Sequence, residues 1–296
     1  MQTVLVTGGA GFIGSHSVDK LIANSFEVVV VDRAAPTYPN TKATYYQCDM
    51  NDSECENIFQ NHQIDFVLHL GAQAAVAVSN EDPMRDMKDN IQASLNIFLL
   101  CKKYNIKKVV VSSSAALYAS PEYLPIDEKH PISFLSPYAV SKHTMEEYLK
   151  VLGLNYIIFR YANVYGPRQD PYGEAGVIAI FIDKINNNQD IQIHDDGEQT
   201  RDFIYVEDVA NANVAAILSK MKNQTINVST NQKTSINQLF NTLKEISNYN
   251  KSPTYTPRRE GDIKHSYLDN QKLQQLLNII PKTNLTNGLQ NTIKGI

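Results

Sequence analysis

A tyrosine and a lysine four residues apart, Tyr138 and Lys142, open an amphipathic segment, and three serines, Ser112-Ser113-Ser114, close an apolar run 24 residues before that tyrosine. On a helix the two side chains fall on neighbouring turns, so the ammonium lies near the phenol. A nearby cation favours the phenolate and makes tyrosine a usable base near neutral pH. Such a base gains meaning beside a dinucleotide site. The segment Thr7 to Ser15, Thr-Gly-Gly-Ala-Gly-Phe-Ile-Gly-Ser, offers one directly after the apolar run Val4-Leu5-Val6. Gly8, Gly11 and Gly14 permit a tight turn, close approach of a pyrophosphate to bare backbone, and close packing of the next helix, whose first N–H groups face the anion. Phe12 and Ile13 lie within the same turn and are expected beside the coenzyme. A second apolar run, Val28 to Val31, ends in Asp32, 18 residues past Gly14. A carboxylate there accepts from an adenosine ribose and repels a 2′-phosphate, so NAD is expected rather than NADP, although Arg33 beside it pulls the other way.

These groups need a scaffold, and the chain supplies an alternating one. Apolar strand-like runs at Val4–Val6, Glu27–Val31, Thr44–Gln47, Phe66–Leu70, Lys108–Ser112 and Tyr156–Arg160 are separated mostly by helix-length segments. Buried-type strands alternating with helices predict an α/β fold: a Rossmann-like, doubly wound parallel sheet with crossover helices. Asn90 to Tyr104 and Tyr138 to Leu152 carry apolar residues at three- and four-residue intervals and read as long amphipathic helices, each with an exposed apolar stripe. Past Arg160 the texture changes, and Asn163 to Gly176, rich in Gly, Pro, Tyr and Asn, reads as an irregular loop. Thr225 to Val228 reads as a late strand returning to the sheet. The expected division is a dinucleotide-binding domain over 1–166 plus about 203–232, with a smaller α/β C-terminal substrate lobe over 167–202 and 233–296.

The chain has 296 residues, about twice a typical domain, and a net charge of −4, which leaves no electrostatic footprint for nucleic acid or an anionic membrane. It opens inside a strand, and no apolar stretch approaches the ~18 residues of a membrane span, so a cytoplasmic protein is expected. Cys48, Cys55 and Cys101 show no Cys-x-x-Cys spacing and read as buried thiols; His16, His69 and His143 show no zinc-like pairing, and no metal site is expected.

Taken together, Thr7–Ser15, Asp32, Ser112–Ser114, Tyr138-x-x-x-Lys142 and Arg160-Tyr161-Ala162-Asn163-Val164-Tyr165-Gly166-Pro167 resemble the extended short-chain dehydrogenase/reductase superfamily, in particular its NAD-dependent nucleotide-sugar epimerases and dehydratases. The stretches Gly197–Val209 and Arg259-Glu260-Gly261-Asp262 extend the resemblance over nearly the whole chain. It implies Arg201 and Arg259 as clamps on a substrate diphosphate, a task suited to planar, permanently charged forks, with Asp262 beside them. It implies Asp49 on the adenine amino group, with Met50 next to it. Leu70, Gly71, Ala72 and Gln73 would line the coenzyme, Gln73 also facing substrate, and Ser112 and Tyr161 would join them. Asn90 would lie in the helix beneath the active site, and both Asn90 and Arg33 would count among the coenzyme-binding residues. Asn163 would reach a phosphate or the sugar, and Gly176–Phe181, with Val177 and Ile178, would wall the uracil together with Gln192 and Ile193 of a strand Ile191–Ile193.

Within that family, 4,6-dehydratases carry an acid just after the strand-end Ser or Thr, where this chain has Ala115 and Ala116. Methyl groups cannot abstract a proton or protonate a leaving hydroxide, which disfavours dehydration. What remains, Ser114 with Tyr138 and Lys142, most closely resembles the UDP-glucose 4-epimerases. Ser266, seven residues past Arg259, is small where a gate near the sugar 2-substituent is implied, so N-acetylated sugars are expected to be admitted. Uronic-acid 4-epimerases share this frame; a 4-ketoreductase and a non-catalytic NAD-binding scaffold are the readings from other classes. Ala119 departs from the glycine usual after Tyr118. The resemblance also implies a homodimer through a four-helix bundle of the two amphipathic helices.

Overall fold

Runs such as Val4-Leu5-Val6 and Val28–Val31 are apolar at every position, so neither face of such a strand can meet water and both must be covered. The computed structural model, which describes residues 1–173, 176–258 and 262–295, covers them with helices on both sides. Its central sheet contains β1 (Thr3–Thr7), β2 (Glu27–Asp32), β3 (Thr44–Gln47), β4 (Phe66–His69), β5 (Lys108–Ser114), β6 (Tyr156–Tyr161) and β7 (Gln224–Val228). All seven pair in parallel, in the order β7-β6-β5-β4-β1-β2-β3. The order reverses between β1 and β4, and a doubly wound sheet opens a ligand crevice at such a switch point, beyond the carboxyl ends of its strands. The Rossmann-like sheet read from the sequence is therefore present, and Thr225–Val228 does return to it.

Successive strand residues point to opposite faces. Val4, Val6, Val28 and Val30 pack with Val18 and Leu21 of α1 (Phe12–Ala23) and with Val209, Ala212 and Ala216 of the helix Val206–Leu218. Leu5, Val29 and Val31 pack on the other face with Ile58 and Phe59 of α2 (Cys55–Asn61), Ile97 and Phe98 of α3 (Ala93–Lys103), and Met145 and Leu149 of α4 (Pro137–Val151). A separate apolar cluster joins Ile178, Phe181 and Ile182 of the helix Val177–Asn186 to Ile193, Phe203, Leu239 and Phe240.

Two local expectations change. The stretch expected to be irregular after Asn163 begins with a short strand, Asn163–Tyr165, paired in parallel with Phe203–Tyr205; three residues are too few to register as a pattern beside so many Gly and Pro. The helix expected from Asn90 to Tyr104 is entered through a widened π turn over Met87–Gln92 before α3 begins, and the buried Asn90 sits in that turn. Such turns are frequent near functional sites, and this one presents Asn90 to the backbone of Gln73.

Candidate active site

The glycine turn is built by backbone contact. Gly8 has φ +69°, Gly11 N donates to Gly8 O at 3.2 Å, and a Cβ placed on Gly14 would lie 2.0 Å from Gly8 O. On the adjoining strand the Asp32 carboxylate accepts from Ala10 N and Ala34 N, each at 3.0 Å, which fixes it at the mouth of the turn. Arg33 is drawn away by an ion pair with Asp89 at 2.8 Å, so its guanidinium is held by a carboxylate rather than offered to a 2′-phosphate. Behind the turn, the buried His69 ring bridges Thr7 Oγ1 and Ser94 Oγ, each at 2.8 Å, while Gly71 N donates to Thr7 Oγ1 at 3.1 Å. Burial, with a smaller contribution from the Lys142 charge, pulls the His69 pKa down to about 3, so the ring stays neutral and acts as a brace between β1, β4 and α3. The sequence reading had weighed His69 only as a metal ligand.

The serine strand and the Tyr–Lys helix meet at the end of β5. Ser136 caps α4 by accepting from Ala139 N at 3.3 Å, and Pro137 opens it, which places Tyr138 in the first turn at a fixed height. Lys142 lies one turn on; its Nζ donates to the Ser112 carbonyl at 2.9 Å and sits 5.9 Å from the centre of the Tyr138 ring. Ser114 ends the strand and accepts from Ala116 N at 3.1 Å, opening a short turn over Ala115–Tyr118. That turn closes at Ala119, with φ 46° and ψ −130°, a conformation that suits glycine. Replacing Ala119 with Gly is expected to relieve strain of about 1–2 kcal/mol, less the extra chain entropy of glycine, and to raise the thermal midpoint by roughly 2 °C. Differential scanning fluorimetry checks it, and an unchanged or lower midpoint would contradict it.

The glycine turn, Asp32, Ser114, Tyr138 and Lys142 line one cavity of about 580 Å³, a size usual for small-molecule sites. Of the residues expected at the coenzyme, Gly8, Gly11, Phe12, Ile13, Gly14, Asp32, Arg33, Asp49, Met50, Leu70, Gly71, Ala72, Ser112, Tyr138, Lys142 and Tyr161 line it, and Ser114 joins them. Gln73 and Asn90 do not. Asn90 accepts from Gln73 N at 2.7 Å and donates to Gln73 O at 2.9 Å, while Gln73 Nε2 turns to the buried Asp86 at 3.1 Å. The two residues bracket the loop behind the cavity, because buried amides must pair and find each other there.

The residues expected at the substrate are more scattered. Arg201 is not among the lining residues; its guanidinium faces the Asp262 carboxylate and donates to the carbonyls of Thr200 and Ile263. Arg259 lies outside the described residues. Asn163 Nδ2 donates to the Asp202 carbonyl at 3.1 Å, and Ser266 N to Thr200 O at 3.1 Å. Ile178 and Ile193 are core residues, Val177 packs on that core and Gln192 is exposed; none of them is among the residues lining this cavity.

Sequence reasoning missed a further wall. Arg168, with φ +69°, lines the cavity together with Gln169 and Asp170. Its guanidinium stacks over Tyr38 at 5.2 Å and pairs with Asp19 at 2.9 Å, while Pro167 O lies 3.0 Å from His16 Nε2. The segment after Gly166 is thereby tied across the mouth of the glycine turn. A pattern that could have pointed to it is the Arg-Gln-Asp run directly after Gly166-Pro167. Replacing Arg168 with Ala is expected to speed loss of bound coenzyme about tenfold, the scale of one stacked, paired cation, as read by nucleotide fluorescence after dilution. An unchanged off-rate would refute the clasp.

The site fits a dinucleotide. The glycine cradle leaves no room for a Cβ at Gly14, Asp32 stands at the ribose position, and the buried Asn51 Oδ1 lacks a partner at the Asp49 end of the cavity. Among the described residues, no helix is long and apolar enough to cross a membrane, and no group of three His, Cys, Asp or Glu could hold a metal.

Comparisons with known proteins agree with this geometry. The model of the NAD dependent epimerase/dehydratase family matches residues 4–229. The crystal structure of UDP-glucose 4-epimerase from Thermotoga maritima, with UDP-glucose, superposes with a TM-score of 0.96 at 43% identity, covering 99% of this chain and 98% of that one. UDP-N-acetylglucosamine 4-epimerase from Methanobrevibacter ruminantium, in complex with UDP-N-acetylmuramic acid, gives a TM-score of 0.94 at 38% identity over 99% of this chain and 97% of that one. The UDP-glucose 4-epimerase of Mycolicibacterium smegmatis is 34% identical over 303 residues, 98% of this chain and 97% of its own.

Proposed function

The chain belongs to the NAD-dependent epimerase/dehydratase family, and from that premise we propose that it inverts C4 of a UDP-hexose through a 4-keto sugar, interconverting UDP-glucose and UDP-galactose and admitting UDP-N-acetylglucosamine. One observation carries the reading: Ser114, Tyr138 and Lys142 line the same cavity as the glycine turn, with only Ala115 and Ala116 where a dehydrating acid would stand. The glycine turn and Asp32 would hold NAD, which when bound would supply the hydride acceptor and donor for sugar C4.

Tyr138 takes the proton of the 4-hydroxyl and later returns it, and Ser114 hydrogen-bonds the same oxygen. Lys142 supports the phenolate electrostatically while its bond to the Ser112 carbonyl fixes the ammonium. Inversion requires the keto sugar to present its other face, so it must turn about an anchored diphosphate. Arg201 is our candidate anchor, with Arg259; a diphosphate would draw the Arg201 fork from Asp262 because it offers a denser bidentate anion.

We place the protein in the cytoplasm as a homodimer. Its three cysteines, all unpaired, suit a reducing compartment. Leu99 on α3 and Val140, Tyr148 and Val151 on α4 are exposed apolar side chains that a four-helix bundle between two copies would bury.

The test is incubation of the purified protein, without added coenzyme, with UDP-glucose and separately with UDP-N-acetylglucosamine, read by NMR. The galacto-configured product of each is expected. No product with either, or accumulation of a 4-keto or dehydrated sugar, would overturn the reading.

A further inference from the structure

Tyr138, Lys142 and Glu146 follow one another at four-residue intervals and share one face of α4. Glu146 is fully buried, and its carboxylate takes three bonds: from Ser113 Oγ at 2.5 Å and Arg160 Nε at 2.9 Å on Oε1, and from Arg160 Nη2 at 2.7 Å on Oε2. Arg160 is buried too, and its remaining Nη1 donates to Tyr118 Oη at 3.0 Å, which donates in turn to Asn227 Oδ1 on β7 at 2.7 Å. Burying an ion pair costs desolvation that its attraction barely offsets, and an apolar pair of similar volume often gives equal or greater stability. Stability alone therefore does not account for an ion pair whose two side chains are buried.

Register does account for it. Ser113 is the β5 partner of Arg160 in the sheet, and Ser114 the partner of Tyr161. The last three residues of β5 are thus each committed: Ser112 O to Lys142, Ser113 Oγ to Glu146, and Ser114 to the cavity. We propose that Glu146 and Arg160 are positioning residues, which set the height and rotation of α4 on β5 and β6 so that the Tyr138 phenol and the Ser114 hydroxyl converge on one substrate oxygen. The proposal rests on the reading of Ser114, Tyr138 and Lys142 as the groups that face the reacting carbinol. Shifting such groups by ~1 Å costs about 10²-fold in rate.

The test separates turnover from folding. Glu146→Gln keeps the side-chain shape but breaks the two-pronged pairing, and is expected to lower kcat roughly 10- to 100-fold with KM for UDP-glucose and bound coenzyme within about threefold of the native protein. The double variant Glu146→Leu/Arg160→Met removes both charges and is expected to keep its thermal midpoint within about 3 °C while kcat stays as low as in the single variant. A folded double variant with native kcat, or a Glu146→Gln loss that only follows loss of folded protein or of coenzyme, overturns the proposal. Should neither variant fold, Ser113→Ala removes a single hydroxyl bond and is expected to lower kcat about 3- to 10-fold at constant KM, on the scale of one charge-assisted hydrogen bond; unchanged kcat overturns the proposal. The native protein in the same assay keeps the two claims apart: inactivity of the native protein on UDP-hexoses sinks the functional reading, and native activity with indifferent variants sinks this one.

Discussion

Replacing Tyr138 with Phe is expected to lower kcat by roughly 10²–10⁴-fold, the range of a positioned general acid–base group, with UDP-sugar and coenzyme binding preserved. The phenol ring stays where Ser136 and Pro137 set the start of α4, so packing around the 8%-exposed residue changes little and only the proton relay is lost. Steady-state kinetics together with the coenzyme content of the purified variant check this. A variant within about threefold of native kcat would remove Tyr138 from the reaction, and a variant that loses its coenzyme would assign it to binding.

Gly14→Ala is expected to be as severe by another route. The new Cβ would meet Gly8 O at 2.0 Å and Gly9 Cα at 2.8 Å, and both are backbone atoms that cannot step aside as a flexible side chain would. The turn has to open, at a cost of roughly 2–4 kcal/mol in strain, and the pyrophosphate loses its close approach to the backbone. Protein purified from this variant should carry no coenzyme and show no epimerisation even when NAD is supplied at millimolar concentration. Retention of coenzyme in the native proportion would contradict the cradle as built here.

Both effects were legible in the chain because they are local. A glycine turn after an apolar run, and a Tyr and Lys one helical turn apart, carry their geometry in their spacing. The strands were legible for the same reason: Val28–Val31 is buried on both faces whatever else the chain does. What escaped depends on partners far apart in sequence. Gln73 and Asn90, 17 residues apart, pair their buried amides with each other, a contact that no local pattern announces. Arg168 pairs with Asp19 across 149 residues and His69 with Thr7 across 62, so no window of sequence contains both members. Ile178 and Ile193 belong to an apolar cluster assembled from segments as distant as Tyr165 and Leu289, which no single window of sequence shows. The small residue Ala119 was visible as a departure, but only its positive φ shows what the departure costs.

The measurement closest to the central claim is the fate of deuterium placed at C4 of UDP-glucose, followed by NMR in ordinary water without added coenzyme. The expected product is UDP-galactose that keeps the label at C4, because Tyr138 exchanges only the hydroxyl proton while the C4 hydrogen leaves and returns as hydride within the cavity. Galacto product that has lost its label to solvent, or no inversion at C4 at all, would contradict it.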